Sequence, residues 1–299
     1  MGDLAIEVDG LRKSYGEFEA IRGIGFGVQR GEIFGLLGPN GAGKTTTVEI
    51  LEGYRQRTSG RVSVLGFDPG ERSRELRSRI GIVLQSTGLY RHIRVREAIS
   101  HFAAMYPHPR DIAEVIALTG LEGKEEAMAR TLSGGQLRRL DLALALVGDP
   151  ELIFLDEPTT GFDPVARRNA WETIASLRSL GKTVLLTTHY LEEAQRLADR
   201  VAIIKDGRIV AEGAPRELAS LDGSSRYRIA YRGAGGEPVE HVTDDPTTLL
   251  HELTAEALAR GERLDGLTVT RPTLEDVYLE LTAEPSGGES ESEEEVPVG

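Results

Sequence analysis

The chain opens with short apolar runs separated by turn residues, and Leu4–Val8, Gly25–Val28 and Ile33–Leu37 predict strands. Ile33-Phe34-Gly35-Leu36-Leu37 is almost wholly apolar, the pattern of a strand covered on both faces. A glycine-rich turn follows, then Lys44 to Gly53 with helical spacing; Arg61–Leu65 and Ile80–Leu84 predict further strands. From about Ser86 to Val147 the period becomes helical, interrupted at Pro107 and Pro109. Strands return at Leu152–Leu155, Thr183–Thr187 and Val201–Ile204, with helical stretches between them. Such alternation predicts an α/β protein with a mostly parallel core sheet and a helical insertion at about 86–147.

After about Ser220 the pattern changes. Tyr227–Tyr231 alternates like an exposed strand, Pro246 to Arg260 reads as a helix and Leu267–Thr270 as a strand. Thr273 to Leu281 reads as a closing helix with Thr273 as its cap. The expected organisation is a main domain over 1–220, a small α+β appendage over 221–284, and a disordered acidic tail over 285–299. That tail is rich in Ser, Gly and Glu, with five glutamates and no basic residue.

Composition sharpens this division. The net charge of -13 is uneven: residues 1–220 carry 29 Lys+Arg against 30 Asp+Glu, and residues 221–299 carry 6 against 18. A nearly neutral main domain offers no broad basic face, so no nucleic-acid partner is expected. The absence of cysteine excludes disulfides, thiolate metal sites and a cysteine nucleophile. Met1 to Val8 lacks the basic-then-apolar pattern of a secretory signal, and the apolar runs fall short of the roughly 20 residues that span a bilayer. Membrane contact is expected only through a partner.

Three segments carry chemistry. Gly38-Pro39-Asn40-Gly41-Ala42-Gly43-Lys44-Thr45, between a buried strand and a helix, fits a phosphate-binding loop. Its glycines let successive N–H groups face the phosphates, Lys44 adds a point charge, Thr45 offers a hydroxyl to Mg²⁺, and the helix start adds partial positive charge. This loop, extended to Thr46, is expected to bind a nucleoside triphosphate. Asp156 and Glu157 end an apolar strand, where parallel sheets place ligands. Asp156 would hold hydrated Mg²⁺, and Glu157 would orient or deprotonate an attacking water. Leu132-Ser133-Gly134-Gly135-Gln136 opens a helical run, an arrangement suited either to an ordinary N-cap or to an anion.

Leu132 to Gln136 resembles, letter for letter, the signature sequence of the ATP-binding cassette (ABC) ATPases, in the expected order between the phosphate loop and the Asp-Glu strand. The resemblance covers about residues 4–220. It implies a P-loop NTPase fold of the cassette type, with an N-terminal antiparallel β part beside the parallel core sheet. It also implies that Tyr15 stacks on adenine, that Gln85 reaches Mg²⁺ and the attacking water, and that Asp163, in Gly161-Phe162-Asp163, crosses to a second subunit. His189 would contact the γ-phosphate, whereas His92, His101, His108, His241 and His251 read as structural. Leucine is usual in the family where Phe162 stands, and a basic residue is frequent where Leu144 stands; both changes bear on packing between subunits.

The same resemblance implies the working cycle. Each ATP lies between the phosphate loop of one chain and the signature of another, and one copy of each motif calls for a second nucleotide-binding subunit, as in a homodimer. Arg271-Pro272-Thr273-Leu274-Glu275-Asp276-Val277-Tyr278 and Arg139 to Leu144 resemble ATPases of ABC-2 type exporters, including the daunorubicin-resistance branch. The implied role is an ATPase on the cytoplasmic face of the membrane, driving an ABC-2 type membrane permease that exports drugs, lipids or polysaccharide. Permease contact is expected at Gln85 to Arg94. The alternatives are a non-transport ABC ATPase acting on nucleic acid or ribosomes, and a regulatory ATPase switch.

Overall fold

The computed structural model describes residues 3–83, 92–218, 227–233, 235–270 and 274–282. β1 (Leu4–Tyr15) and β2 (Phe18–Gln29) form a long hairpin, and β4 (Ser59–Val64) joins it to give an antiparallel sheet in the order β2-β1-β4. The core sheet has six strands. In spatial order they are β5 (Ile80–Val83), β6 (Leu152–Asp156), β7 (Thr183–Thr188), β3 (Ile33–Leu37), β8 (Arg200–Lys205) and β9 (Arg208–Gly213). All neighbours are parallel except β8 and β9.

Every residue of β3 and β7 is buried, as the continuous apolar runs require. The alternation of side chains divides the core in two. Phe34, Leu36, Phe154 and Leu185 face the N-terminal sheet and α1 (Lys44–Leu51), in one cluster with Ile6, Leu11, Ile21 and Val48. Ile33, Ile153, Leu155, Val184 and Leu186 face α6 (Pro164–Ser179), against Trp171, Ile174 and Leu177. Each such fully buried side chain contributes about 1.5–3 kcal/mol. A short α2 (Arg74–Arg79), capped by Ser73, leads into β5. Glu151, just before β6, bonds Arg79 and Arg30, and these two guanidinium groups hold its carboxyl down to about 2.

The expected helical insertion contains α3 (Val95–Ala103), α4 (Ile112–Leu118) and α5 (Gly134–Leu146). They share a core of Val95, Ile99, Val115, Ile116, Leu140 and Leu144. Leu144 is therefore a packing residue inside this chain, not one that bears on packing between subunits. α7 (Leu191–Leu197) follows β7, and α8 (Pro215–Leu218) follows β9. No helix among the described residues is long and apolar enough to cross a membrane.

Beyond Ser220 a second antiparallel sheet has the order β11-β10-β12, from β10 (Tyr227–Arg232), β11 (Pro238–Thr243) and β12 (Asp265–Thr270). Tyr227–Tyr231 is thus a central strand with Ile229 fully buried, not the exposed strand its alternation predicts. α9 (Pro246–Ala259) is capped by Asp245, which accepts the N–H groups of Thr247 and Thr248. α10 (Leu274–Thr282) packs back against the core sheet: Leu274 and Tyr278 lie in one cluster with Leu37, Ala194, Val201, Ile203 and Leu218. Thr273, the expected cap, lies outside the described residues.

Candidate functional site

The phosphate loop is fixed from outside as well as by its own sequence. Gly38 leaves β3 where a Cβ would stand 2.3 Å from the Ile204 carbonyl oxygen, so only glycine fits. Gly43 precedes α1 with φ 109° and a Cβ position 3.0 Å from the Ala20 carbonyl oxygen. The β8–β9 turn supports the loop, since the Gly207 N–H donates to the Ala42 carbonyl at 3.1 Å and the Arg22 N–H to the Gly207 carbonyl at 2.8 Å. Gly43 offers no capping side chain, so the first N–H groups of α1 remain directed at the loop, where an anion can accept them.

Lys44 is buried, and its ammonium donates to the carbonyls of Gly38 at 2.8 Å and Pro39 at 3.1 Å. Burial pushes its pKa below the ordinary lysine value, while Glu157 and Asp156 pull it back. Glu157 Oε1 lies 3.9 Å from the Lys44 ammonium and 3.3 Å from His189 Nδ1. The Glu157–His189 approach is within ion-pair reach but lacks hydrogen-bond alignment. Thr160 donates to Glu157 Oε2 at 3.1 Å. Tyr15, Asn40, Gly41, Gly43, Lys44, Thr45, Thr46, Glu157 and His189 all border one open cleft of about 720 Å³. Tyr15, 41% exposed, stands at its edge with the Lys13 ammonium 4.9 Å from its ring centre. Phe18, Ala20 and Thr160 complete the lining, and no motif marks them in the sequence.

At the end of β6, Asp156 Oδ1 accepts the Thr187 hydroxyl at 2.5 Å. The Thr187 oxygen in turn accepts the Glu157 N–H at 3.0 Å, and Glu157 has φ 45°. Thr187 is unmarked in the sequence; only the parallel register of β6 with β7, which pairs Asp156 with Thr187, reveals it. The hydroxyl of Thr45 and the carboxylate of Asp156 are hard oxygen donors, a set that fits Mg²⁺, an ion that retains several waters. Gln85 lies outside the described residues. Burial, with Asp156 and Glu49 adding negative charge, pushes the carboxyl of Glu52 at the end of α1 up to about 8.

The signature segment does not enter this cleft. Ser133 caps α5: its hydroxyl accepts the Gln136 N–H at 3.3 Å, and Gln136 Oε1 accepts the Ser133 N–H at 3.0 Å. Ser133, Gly135, Gln136 and Phe162 border a separate cleft between α5 and α6. A Cβ on Gly134 would meet nothing within 4 Å, and Leu132 is half-buried against the helical core. Asp163 caps α6 by accepting the N–H groups of Val165 and Ala166, each at 2.9 Å.

Comparison with known proteins agrees with this geometry. The ABC transporter family model matches residues 21–160. The chain is 40% identical to Nod factor export ATP-binding protein I of Sinorhizobium fredii, over 94% of this chain and 86% of that protein. It is 38% identical to daunorubicin resistance ATP-binding protein DrrA3 of Streptomyces coeruleorubidus, over 95% and 98%. Among solved structures, a dimeric bacterial ABC transporter cassette superposes with a TM-score of 0.62 at 26% identity, over 70% of this chain and 98% of that one. The fold is that of an ATP-binding cassette. The chain belongs to the ABC transporter family of ATP-binding subunits, which hydrolyse ATP to drive transport.

Proposed function

We propose that two copies of this chain close head to tail around two ATP molecules and drive export through a separate permease of the ABC-2 type. The observation that carries this reading is the separation of the two half-sites. Lys44, Glu157 and His189 border one cleft, and Ser133 and Gln136 border another, so one chain supplies both halves but cannot close them on a single nucleotide. The dimeric state of the related cassette and the export roles in the relatives' names support it. ATP then acts as a ligand of the closed state, stabilising it through contacts that exist only when nucleotide is bound.

In this reading the loop N–H groups and the Lys44 ammonium bind the β- and γ-phosphates, and Tyr15 supports the base. Glu157 accepts a proton from the attacking water as its oxygen bonds to the γ-phosphorus and the bond to the leaving ADP oxygen breaks. Thr160 orients that carboxylate, and Lys44 and His189 face the charge on the phosphoryl oxygens. Thr45 and Asp156 would hold Mg²⁺, which supplies charge neutralisation on the phosphates when bound. Asp163, at the start of α6, and the signature residues Leu132 to Gln136 are assigned to the partner-facing surface. The domain division at about residue 220 and the membrane-peripheral location belong to the same proposal. The permease surface at Gln85 to Arg94 falls largely outside the described residues.

Glu157→Gln tests the assignment. It should bind ATP with unchanged affinity, lower kcat by about 100-fold or more, and accumulate an ATP-dependent dimer in light scattering. Normal turnover in this variant would remove Glu157 from the mechanism.

A further inference from the structure

Arg138 stands two residues beyond the signature segment, on the first turns of α5, with its side chain only 12% exposed. Its Nε donates to the Pro158 carbonyl and its Nη2 to the Asp156 carbonyl, both at 3.1 Å. These two carbonyls bracket Glu157, whose left-handed backbone persists in a non-glycine residue only where the surroundings hold it. Thr187 fixes the Glu157 N–H from β7, and Arg138 fixes the flanking carbonyls from α5.

The connection continues outward. Thr159 donates to Glu193 Oε1 at 2.8 Å, and the same oxygen accepts the Trp171 indole N–H at 2.9 Å. Glu193 is fully buried, and its negative charge, with those of Asp141 and Asp156, acts on Arg138. Two residues of the catalytic segment, Asp156 and Pro158, are thus tied to α5, and the next residue is tied to α6 and α7. All of this lies in surroundings dry enough to make each hydrogen bond count.

We propose that Arg138 is a positioning residue for hydrolysis, locking the Asp156–Pro158 segment to the signature end of α5. A contact made at Ser133 by the partner's nucleotide is thereby transmitted to Glu157 of the same chain. The inference rests on the dimeric reading above. Arginine suits the task because its planar fork spans two carbonyls at once, whereas a lysine ammonium is a single point charge.

The test compares Arg138→Met and Arg138→Lys in the full chain by steady-state ATP hydrolysis, nucleotide titration and thermal melting. Trp171 is the only tryptophan and reports nucleotide-induced changes in the network by its emission. Arg138→Met should lower kcat by about 10- to 100-fold, keep KM and nucleotide affinity within about twofold, and blunt the Trp171 response to ATP. Arg138→Lys should recover part of the lost kcat. The proposal is overturned by a near-wild-type kcat in Arg138→Met, by kcat and nucleotide affinity falling together, or by Arg138→Lys being as impaired as the methionine variant. If Arg138→Met does not fold, Arg138→Lys decides: a lowered kcat at unchanged KM supports the role, and wild-type kcat overturns it. Glu157→Gln run alongside separates the failures. No ATP-trapped dimer would sink the dimeric reading, whereas a trapped dimer with full activity in Arg138→Met would sink only the positioning role.

Discussion

Glu52 places a second carboxyl behind the catalytic strand, and its raised pKa of about 8 keeps that carboxyl largely neutral at pH 7. A group whose folded pKa is raised contributes stability that is fully present below its ordinary value, near 4.5, and is lost as pH rises through about 8. Glu52→Gln cannot ionise and should escape this loss. In nucleotide-free melts the variant and the wild type should coincide below pH 4.5. By pH 9 the variant should lead by up to about 5 kcal/mol, about 10 °C for a chain of this size. A constant gap across that range would show that Glu52 is not buried as described. The same residue marks what a sequence can reveal at this scale. Lys44, Asp156, Glu157 and Ser133 are legible because each belongs to a local string whose spacing encodes its chemistry. Glu52, Thr187 and Arg138 are not, because their roles come from neighbours 18 or more residues away or from burial that no local pattern encodes.

At the scale of elements, α10 shows that the appendage is anchored to the cassette. Leu274 is fully buried in a cluster with Leu37 from β3, Val201 and Ile203 from β8, and Leu218 from α8. Leu274→Ala should cost about 2–5 kcal/mol of this docking, lowering the melting temperature and opening α10 to limited proteolysis. Nucleotide affinity should stay within about twofold, since the phosphate loop is braced independently by Ile204, Ala20 and Gly207. An unchanged melting temperature would mean that α10 is not held there. The strands β3, β6, β7 and β8 are legible because burial on both faces demands unbroken apolar runs. β9 and β11 are harder, as half-covered edge strands carry charges such as Glu212, Glu240 and Arg208. Asp206-Gly207, with φ 48° and 73°, is the hairpin signal that marks β9.

At the scale of the whole molecule, the charge surplus and the chemistry sit at opposite ends of the chain. The cassette region is nearly neutral and binds nucleotide through local devices, while five glutamates follow Pro285. A charged tail that makes no contact with the cleft would influence it only through its field. That field is screened over about 8 Å at 0.15 M salt and about 30 Å at 0.01 M. ATP is an anion, so any influence of the tail would raise the KM for ATP, and would do so most at low ionic strength. Removing Pro285–Gly299 should therefore leave kcat and KM within about twofold at 0.15 M salt, and any fall in KM should emerge only as salt is lowered towards 0.01 M. A loss of kcat at physiological salt would give the tail a direct role in the catalytic cycle. A salt-independent change in KM would place it against the nucleotide cleft.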